Sequence, residues 1–395
     1  MNNSNLTLIF SSIGHAFMHM FAAFYFVIVL AIEDEWAFSY DDLIKLWTLG
    51  ALLVGLGALP AGWISDRWSR SMMMVIMFLG MGLSSILCGI SNDKFFLFVG
   101  LTFLGLFCSI YHPVGVAWVV NSHLKAGKAL GINGIFGGVG IGLGAFIAGT
   151  LVEFFGWKVA FILPGLFSVL LSIILFILIN LKFISFLNIP SKLKFENHSS
   201  PNLILVSIIM LTAMFGLGLA FQIMQTSIPK VLDLRIDNIT TYRIGVIVAL
   251  IYGISGLMSL IGGLLADKFD LKTIYVIGMF AQVPCYFLIS YNTGIPLIVI
   301  SLLAVIFNSS ILPTENILLA KLTPEKHHGL IYGVKFIVAF GSGPLAVYLI
   351  AKVYELTSEF SILFIFSSIL IAFVAFMALF LPINRSINKS ATKFI

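Results

Sequence analysis

Twelve apolar stretches, each close to the roughly 20 residues a membrane-spanning helix needs, dictate what this chain can fold into. They run 6–31, 44–65, 71–90, 95–120, 128–152, 158–181, 202–228, 243–266, 273–291, 296–320, 329–351 and 360–382. In lipid each must satisfy its own backbone hydrogen bonds, so the expected fold is all-α. Composition agrees, because 60% hydrophobic against 10% charged residues leaves too little polar surface to keep 395 residues in water. The three cysteines, Cys88, Cys108 and Cys285, lie inside apolar runs without Cys-x-x-Cys spacing, which suggests neither a disulfide frame nor a metal site. Residues 1–6 carry no lysine or arginine, and the first apolar run is too long for the core of a cleaved signal.

One long polar interruption, 182–201, holds Ser, Asn, Pro and three lysines. It reads as a linker between a six-helix bundle over 1–181 and a second over 202–395, the latter ending in a short tail. Charge sorts the loops into two sets. Fourteen bases, among them Arg67, Arg70, Lys125, Lys128, Lys268 and Lys326, fall on one side. Seven fall on the other: Lys45, Lys94, Lys158, Lys230, Arg235, Arg243 and Lys352, beside Glu33, Asp34, Glu35, Asp41 and Asp42 in the first loop. The positive-inside rule puts the first set, the linker and both termini in the cytoplasm, and an even number of spans agrees. The net charge of +5 is therefore an orientation signal, and nucleic-acid binding is not needed to explain it.

The chain reads as one unit written twice. Gly62-Trp63-Ile64-Ser65-Asp66-Arg67-Trp68-Ser69-Arg70 follows span two, and Gly263-Leu264-Leu265-Ala266-Asp267-Lys268-Phe269 follows span eight. Gly127-Lys128-Ala129-Leu130-Gly131-Ile132-Asn133 corresponds to Gly329-Leu330-Ile331-Tyr332-Gly333-Val334-Lys335, and Pro113 to Pro313. This arrangement over the whole chain resembles the major facilitator superfamily of transporters. The resemblance implies that Gly62, Asp66, Arg67 and Arg70, with Gly263, Asp267 and Lys268, form gating loops. Asp66 and Arg67 would cap neighbouring helix ends and latch the cytoplasmic face when the protein opens outward, charges that a helix dipole favours. Within the superfamily, Tyr111-His112-Pro113 and Gly14-His15 are similar to bacterial fosmidomycin-resistance transporters, although His19 and Val114 stand where acids are expected. Gly131, Gly140, Gly144 and Gly149 in span five fit the glycine spacing of an antiporter signature, with Ala145 in place of proline. Tight helix packing explains the same glycines equally.

Two charges remain after the loops are set aside: Glu315 in span ten and Lys335 in span eleven. A charge at membrane depth costs at least about 2.5–3.5 kcal/mol on insertion scales, so it needs a partner or an aqueous cavity. Both lie about six residues in from the cytoplasmic ends of their spans, roughly 9 Å at helical rise, so antiparallel neighbours can bring them together. Glu315 can be the proton carrier, or Lys335 can neutralise an anionic solute. The bland alternatives are a static pair, or Lys335 snorkelling to the surface. His15 and His19 share a face of span one, and His112 precedes Pro113, which should open span four locally. The resemblance puts spans one, four, seven and ten around a central cavity, hence all three histidines and Glu315 near it. Tyr111, Gln222, Gln225, Thr226, Asn308, Ser309 and Asn316 complete the polar set. An i,i+4 histidine pair without a neighbouring Cys or carboxylate argues against zinc, and no cofactor is expected. Trp63, Trp68 and Trp157 read as interface anchors.

The expected function is secondary transport of a small organic solute across a bacterial inner membrane, by rocking two halves about a midplane site. Proton-coupled efflux by antiport is the first reading, from the span-five glycines. Uptake of an organic anion by symport or uniport is the second, from Lys335. A non-transporting sensor or an enzyme finds no motif to support it. The expected partners are the solute, protons and lipid, with no nucleic acid, and a monomer should suffice because one chain holds both halves.

Overall fold

The computed structural model describes residues 3–123, 126–184, 203–322 and 328–382. Most of the linker 182–201, the tail beyond 382, Lys125 and Lys326 lie outside the described residues. Among the described residues every regular element is helical. Among the described residues eleven helices are long and apolar enough to cross a membrane, and the bent pair Tyr40–Leu56 and Ala58–Arg67, at 41°, supplies a twelfth. In order the others are Ser4–Trp36, Arg70–Gly89, Lys94–Ser122, Lys128–Phe155, Trp157–Asn180, Ile204–Arg235, Thr241–Ala266, Leu271–Ile289, Gly294–Leu319, Ile337–Thr357 and Ser361–Ala378. The bent pair takes second place, so they are numbered as spans one to twelve.

Spans one and seven run past the ends that hydropathy predicts. Their last turns carry Glu33, Glu35, Lys230, Asp233 and Arg235, and these charges find partners inside the protein rather than ending the helix in water. Lys230 Nζ lies 2.8 Å from Glu33 Oε2 and 2.9 Å from Asp233 Oδ2. Trp157 is only 2% exposed and donates its Nε1–H to Glu35 Oε2 at 2.9 Å. It is therefore a core residue and not an interface anchor; Trp63 and Trp68 are exposed.

Helix breaks position the site. Span four is interrupted at Ser109–Ile110, between Lys94–Cys108 and Tyr111–Ser122. Pro113 has no N–H to give the Ser109 carbonyl four residues back, which leaves that carbonyl without its helical donor at the break. Its repeat partner Pro313 sits in the unbroken helix Gly294–Leu322. The caps expected of Asp66 come from elsewhere: Ser69 Oγ accepts from Met72 N–H, and Asp270 Oδ2 accepts from Thr273 N–H at 2.9 Å. Asp66 is still inside the helix Ala58–Arg67, too far upstream to reach the next helix's free N–H groups, and it pairs with Arg70 at 2.7 Å.

Within each half, spans two and four and their repeats eight and ten meet backbone to backbone. A Cβ on Gly105 would sit 2.1 Å from the Gly50 carbonyl oxygen, and one on Gly262 would sit 1.9 Å from that of Ser310. Between halves, the ion pair of Lys230 with Glu33 lies at the end where spans one, seven and eleven terminate. There Tyr40 stacks edge-on against Tyr354 at 5.2 Å, its hydroxyl donates to the Thr226 carbonyl, and Lys45 approaches Glu355 at 4.0 Å. Toward the opposite end, that of Asp66 and Asp267, a Cβ on Gly131, Gly134 or Gly263 would meet nothing within 4 Å.

Candidate solute-binding cavity

A cavity of about 220 Å³ lies between the halves. The first half contributes His19 with Phe26 and Trp47, and the second contributes Gln222, Gln225, Asn308, Glu315 and Lys335 with Phe221. Apolar walls with a few convergent polar groups are what a small-molecule site requires.

On the second half's wall, Lys335 Nζ lies 2.8 Å from Glu315 Oε1 and 2.5 Å from Asn316 Oδ1. Tyr275 donates its hydroxyl to Glu315 Oε2 at 3.0 Å. Glu315 is 4% exposed and Lys335 8%. Matching depths in neighbouring antiparallel spans do bring acid and base together. The sequence reading missed Tyr275, although its position on span nine, one turn from Met279, faces it inward. It also missed Gln282, whose Oε1 accepts from Asn308 Nδ2 at 3.2 Å.

The first half carries the neutral counterpart. Asn133, the repeat equivalent of Lys335, is 2% exposed; its Oδ1 accepts from Tyr111 hydroxyl at 2.9 Å and its Nδ2 donates to Ser11 Oγ at 3.2 Å. His15 Nδ1 is 2.8 Å from the Asn133 carbonyl oxygen, and the His15 ring stacks on Tyr111 at 4.6 Å. His15, His19 and His112 form a triangle, with ring centroids 5.0, 5.5 and 5.5 Å apart. Three histidines with one nitrogen each within 4.8 Å of the others could hold a metal ion. The His15–His19 pair on span one is joined by His112 of span four, a neighbour that i,i+4 spacing does not reveal.

Thr226 also lines the cavity, and the remaining predicted residues fall outside it. Gly62 packs against Pro113, Arg67 lies over the Trp63 ring at 4.3 Å, and Gly263, Asp267 and Lys268 form the turn ending span eight. In span five a Cβ would come within 2.4 Å of the Ala16 carbonyl oxygen at Gly140, 2.8 Å of that of Met20 at Gly144, and 2.7 Å of that of Thr241 at Gly149. Gly131 faces open space. Sequence reasoning passed over Lys230 as a loop base, because its boundary for span seven stopped at residue 228.

The family model described as Major Facilitator Superfamily matches residues 11–258 and again 203–394. The chain belongs to the major facilitator superfamily. It is a multi-pass membrane protein of a family of secondary transporters of small solutes, not of enzymes. Within the superfamily it is 27% identical over 336 residues to an uncharacterized MFS-type transporter of Methanocaldococcus jannaschii, covering 79% of this chain and 84% of that protein. Shorter matches join it to a gallate transporter of Pseudomonas putida (25% identical, 34% of this chain, 31% of that one) and the niacin transporter of Acinetobacter baylyi (24% identical, 38% and 34%). A bacterial homolog of the human lysosomal transporter Spinster, crystallised in an inward-facing and occupied conformation, superposes with a TM-score of 0.75 at 12% identity, over 95% of this chain and 96% of that one.

Proposed function

We propose that this superfamily member imports a small organic anion, with Lys335 as the counter-charge and Glu315 as the proton carrier. The observation that carries the reading is the buried Glu315–Lys335 pair on the wall of a cavity shared by both halves. With the site empty, each charge neutralises the other. An entering carboxylate competes for Lys335 and strands Glu315, and an uncompensated buried charge costs several kcal/mol. A proton on Glu315 restores neutrality, so anion and proton favour each other's binding, which is the thermodynamic requirement for symport. Phe26, Trp47 and Phe221 line the same cavity and suit a flat ring. Gallate and niacin, named for two relatives, are both aromatic carboxylates.

The positive-inside rule puts the Asp66 and Asp267 loops in the cytoplasm of a cell whose inner membrane holds the protein. The Lys230–Glu33 contact then closes the outer face, and the state is inward-facing. The Asp66 and Asp267 loops would latch the cytoplasmic face in the opposite state. A single chain holds both halves and suffices. Efflux by antiport rests on the span-five glycines, and backbone approach accounts for Gly140, Gly144 and Gly149 without it. The fosmidomycin-type likeness rests on Tyr111-His112-Pro113 and Gly14-His15, and it carries no substrate into this reading.

Nicotinate and nicotinamide share a ring and differ in charge, and so test the role of Lys335. In proteoliposomes, Lys335→Ala should raise the KM for a transported carboxylate such as nicotinate roughly 10- to 100-fold, the worth of a hydrogen bond to a charged group. Any nicotinamide flux should change little. Equal loss for both would make the pair structural. Glu315→Gln should leave anion exchange but abolish anion-driven proton uptake; undiminished proton uptake sinks the carrier role.

A further inference from the structure

We infer that His15, His19 and His112 form a site for a borderline divalent transition-metal ion of the zinc, cobalt or nickel class, open toward the central cavity. Nothing in the anion reading needs this site. The first support is metric. A zinc–nitrogen bond of about 2.0–2.1 Å puts the metal about 3.2 Å from each imidazole centroid, so three tetrahedrally arranged rings have centroids about 5.2 Å apart. The observed separations are 5.0, 5.5 and 5.5 Å. Nitrogen atoms within 4.8 Å of one another need to close to about 3.3 Å in such a site, a movement within reach of small ring rotations.

The surroundings prepare one ligand in particular. His15 Nδ1 lies 2.8 Å from the Asn133 carbonyl oxygen, so this nitrogen carries the proton and Nε2 is left with its lone pair. Metal-bound histidines are held in this way, the other ring N–H committed to a carbonyl or carboxylate. Asn133 is in turn held by Tyr111 and Ser11. Glycine at 137 keeps a side chain from crowding that nitrogen, since a Cβ there would stand 2.6 Å from His15 Nε2. The break in span four at Ser109–Ile110 lies just ahead of His112, on the turn that brings it to span one.

The donor set selects the ion. Three neutral imidazoles suit borderline first-row ions such as zinc and nickel and not magnesium or calcium, which require oxygen ligands. Three histidine ligands also leave a fourth position open, and His19 lines the cavity, so that position is accessible from the solute site. No carboxylate belongs to the cluster found among the described residues, so a bound ion keeps its full double charge. Such a charge in a low-dielectric site calls for an anion at the open position. The alternative occupant of this geometry is nothing at all: three imidazole rings packed for shape, with His15 stacked on Tyr111 and His112 edge-on to it.

Titration of the purified full-length chain, free of any affinity tag, with Co²⁺ distinguishes the two. The expected result is saturable binding of one ion per chain with the intense visible bands of tetrahedral cobalt, displaced by Zn²⁺. Affinity should fall at least tenfold in His15→Gln, His19→Gln and His112→Gln, and stay unchanged in His123→Gln, outside the cluster. No saturable binding, an octahedral spectrum, or wild-type affinity in all three cluster variants overturns the site. Should a variant fail to fold, the wild-type stoichiometry and spectrum decide alone. The titration involves no transport, so it fails or succeeds independently of the anion reading.

Discussion

Arg235, at the end of span seven, shows how a single side chain ties together three helix ends of the second half, those of spans seven, nine and twelve. Its guanidinium donates to Glu359, to the Ser290 and Asn292 carbonyls and to the Ser361 hydroxyl. Glu359 also accepts from the backbone N–H groups of Phe360 and Ser361 at 2.7 and 2.9 Å, satisfying free donors at the start of span twelve. Burial pushes the Glu359 carboxyl up, but hydrogen bonds from Arg235 and Ser361 outweigh it and hold the group below its usual 4.5. A carboxyl depressed in the folded state contributes stability that is present above its unfolded value and disappears as pH falls through the folded one. The thermal midpoint in detergent should therefore decline below about pH 4.5 as Glu359 protonates, and Glu359→Gln should flatten that part of the profile. A wild-type slope that survives in the variant assigns it to other carboxylates.

At the scale of elements, glycine marks where helices touch. Gly262 lets span eight reach the backbone of span ten, and backbone cannot swing aside as a flexible side chain does. Gly262→Ala should lower the thermal midpoint by several degrees, and Gly140→Ala should behave similarly against Ala16 of span one. Gly131→Ala meets empty space and removes a helix-interior glycine, a change worth up to about 1 kcal/mol in favour of the helix. It should leave the midpoint unchanged or raise it. If all three variants melted alike, the backbone contacts would not be limiting stability. The glycine pattern was legible in the chain, but which glycines touch a neighbour was not, because spacing in one helix says nothing about what lies opposite.

At the scale of the whole molecule, the closed end is a contact between halves, and one of the bonds that cross it, Lys230 to Glu33, is separable from the rest. Glu33→Gln removes the charge facing Lys230 while leaving Lys230 paired with Asp233 at 2.9 Å. It should shift the population toward a state open at this end. Spin labels at Asp42→Cys and Glu355→Cys, both exposed positions on opposite halves, should report a longer distance component growing at the expense of the short one. The native Cys88, Cys108 and Cys285 are buried. An unchanged distance distribution would locate the closure in the apolar contact of Tyr40, Tyr354 and Phe360 instead.

Hydropathy alone determined the helical spans and their number, because lipid accepts no backbone hydrogen bond from outside a span, and spacing alone revealed the doubled plan. Glu315 and Lys335 were legible as partners since their depth can be counted along helices of known rise. Tertiary structure decided what linear counting cannot reach. Lys230 and Glu33 look like loop charges until two helices bring their ends together. His112 joins His15 and His19 only because span four, broken at Ser109–Ile110, packs against span one. Contacts between residues a hundred positions apart depend on helix rotation and approach, and no periodicity within a single helix encodes either.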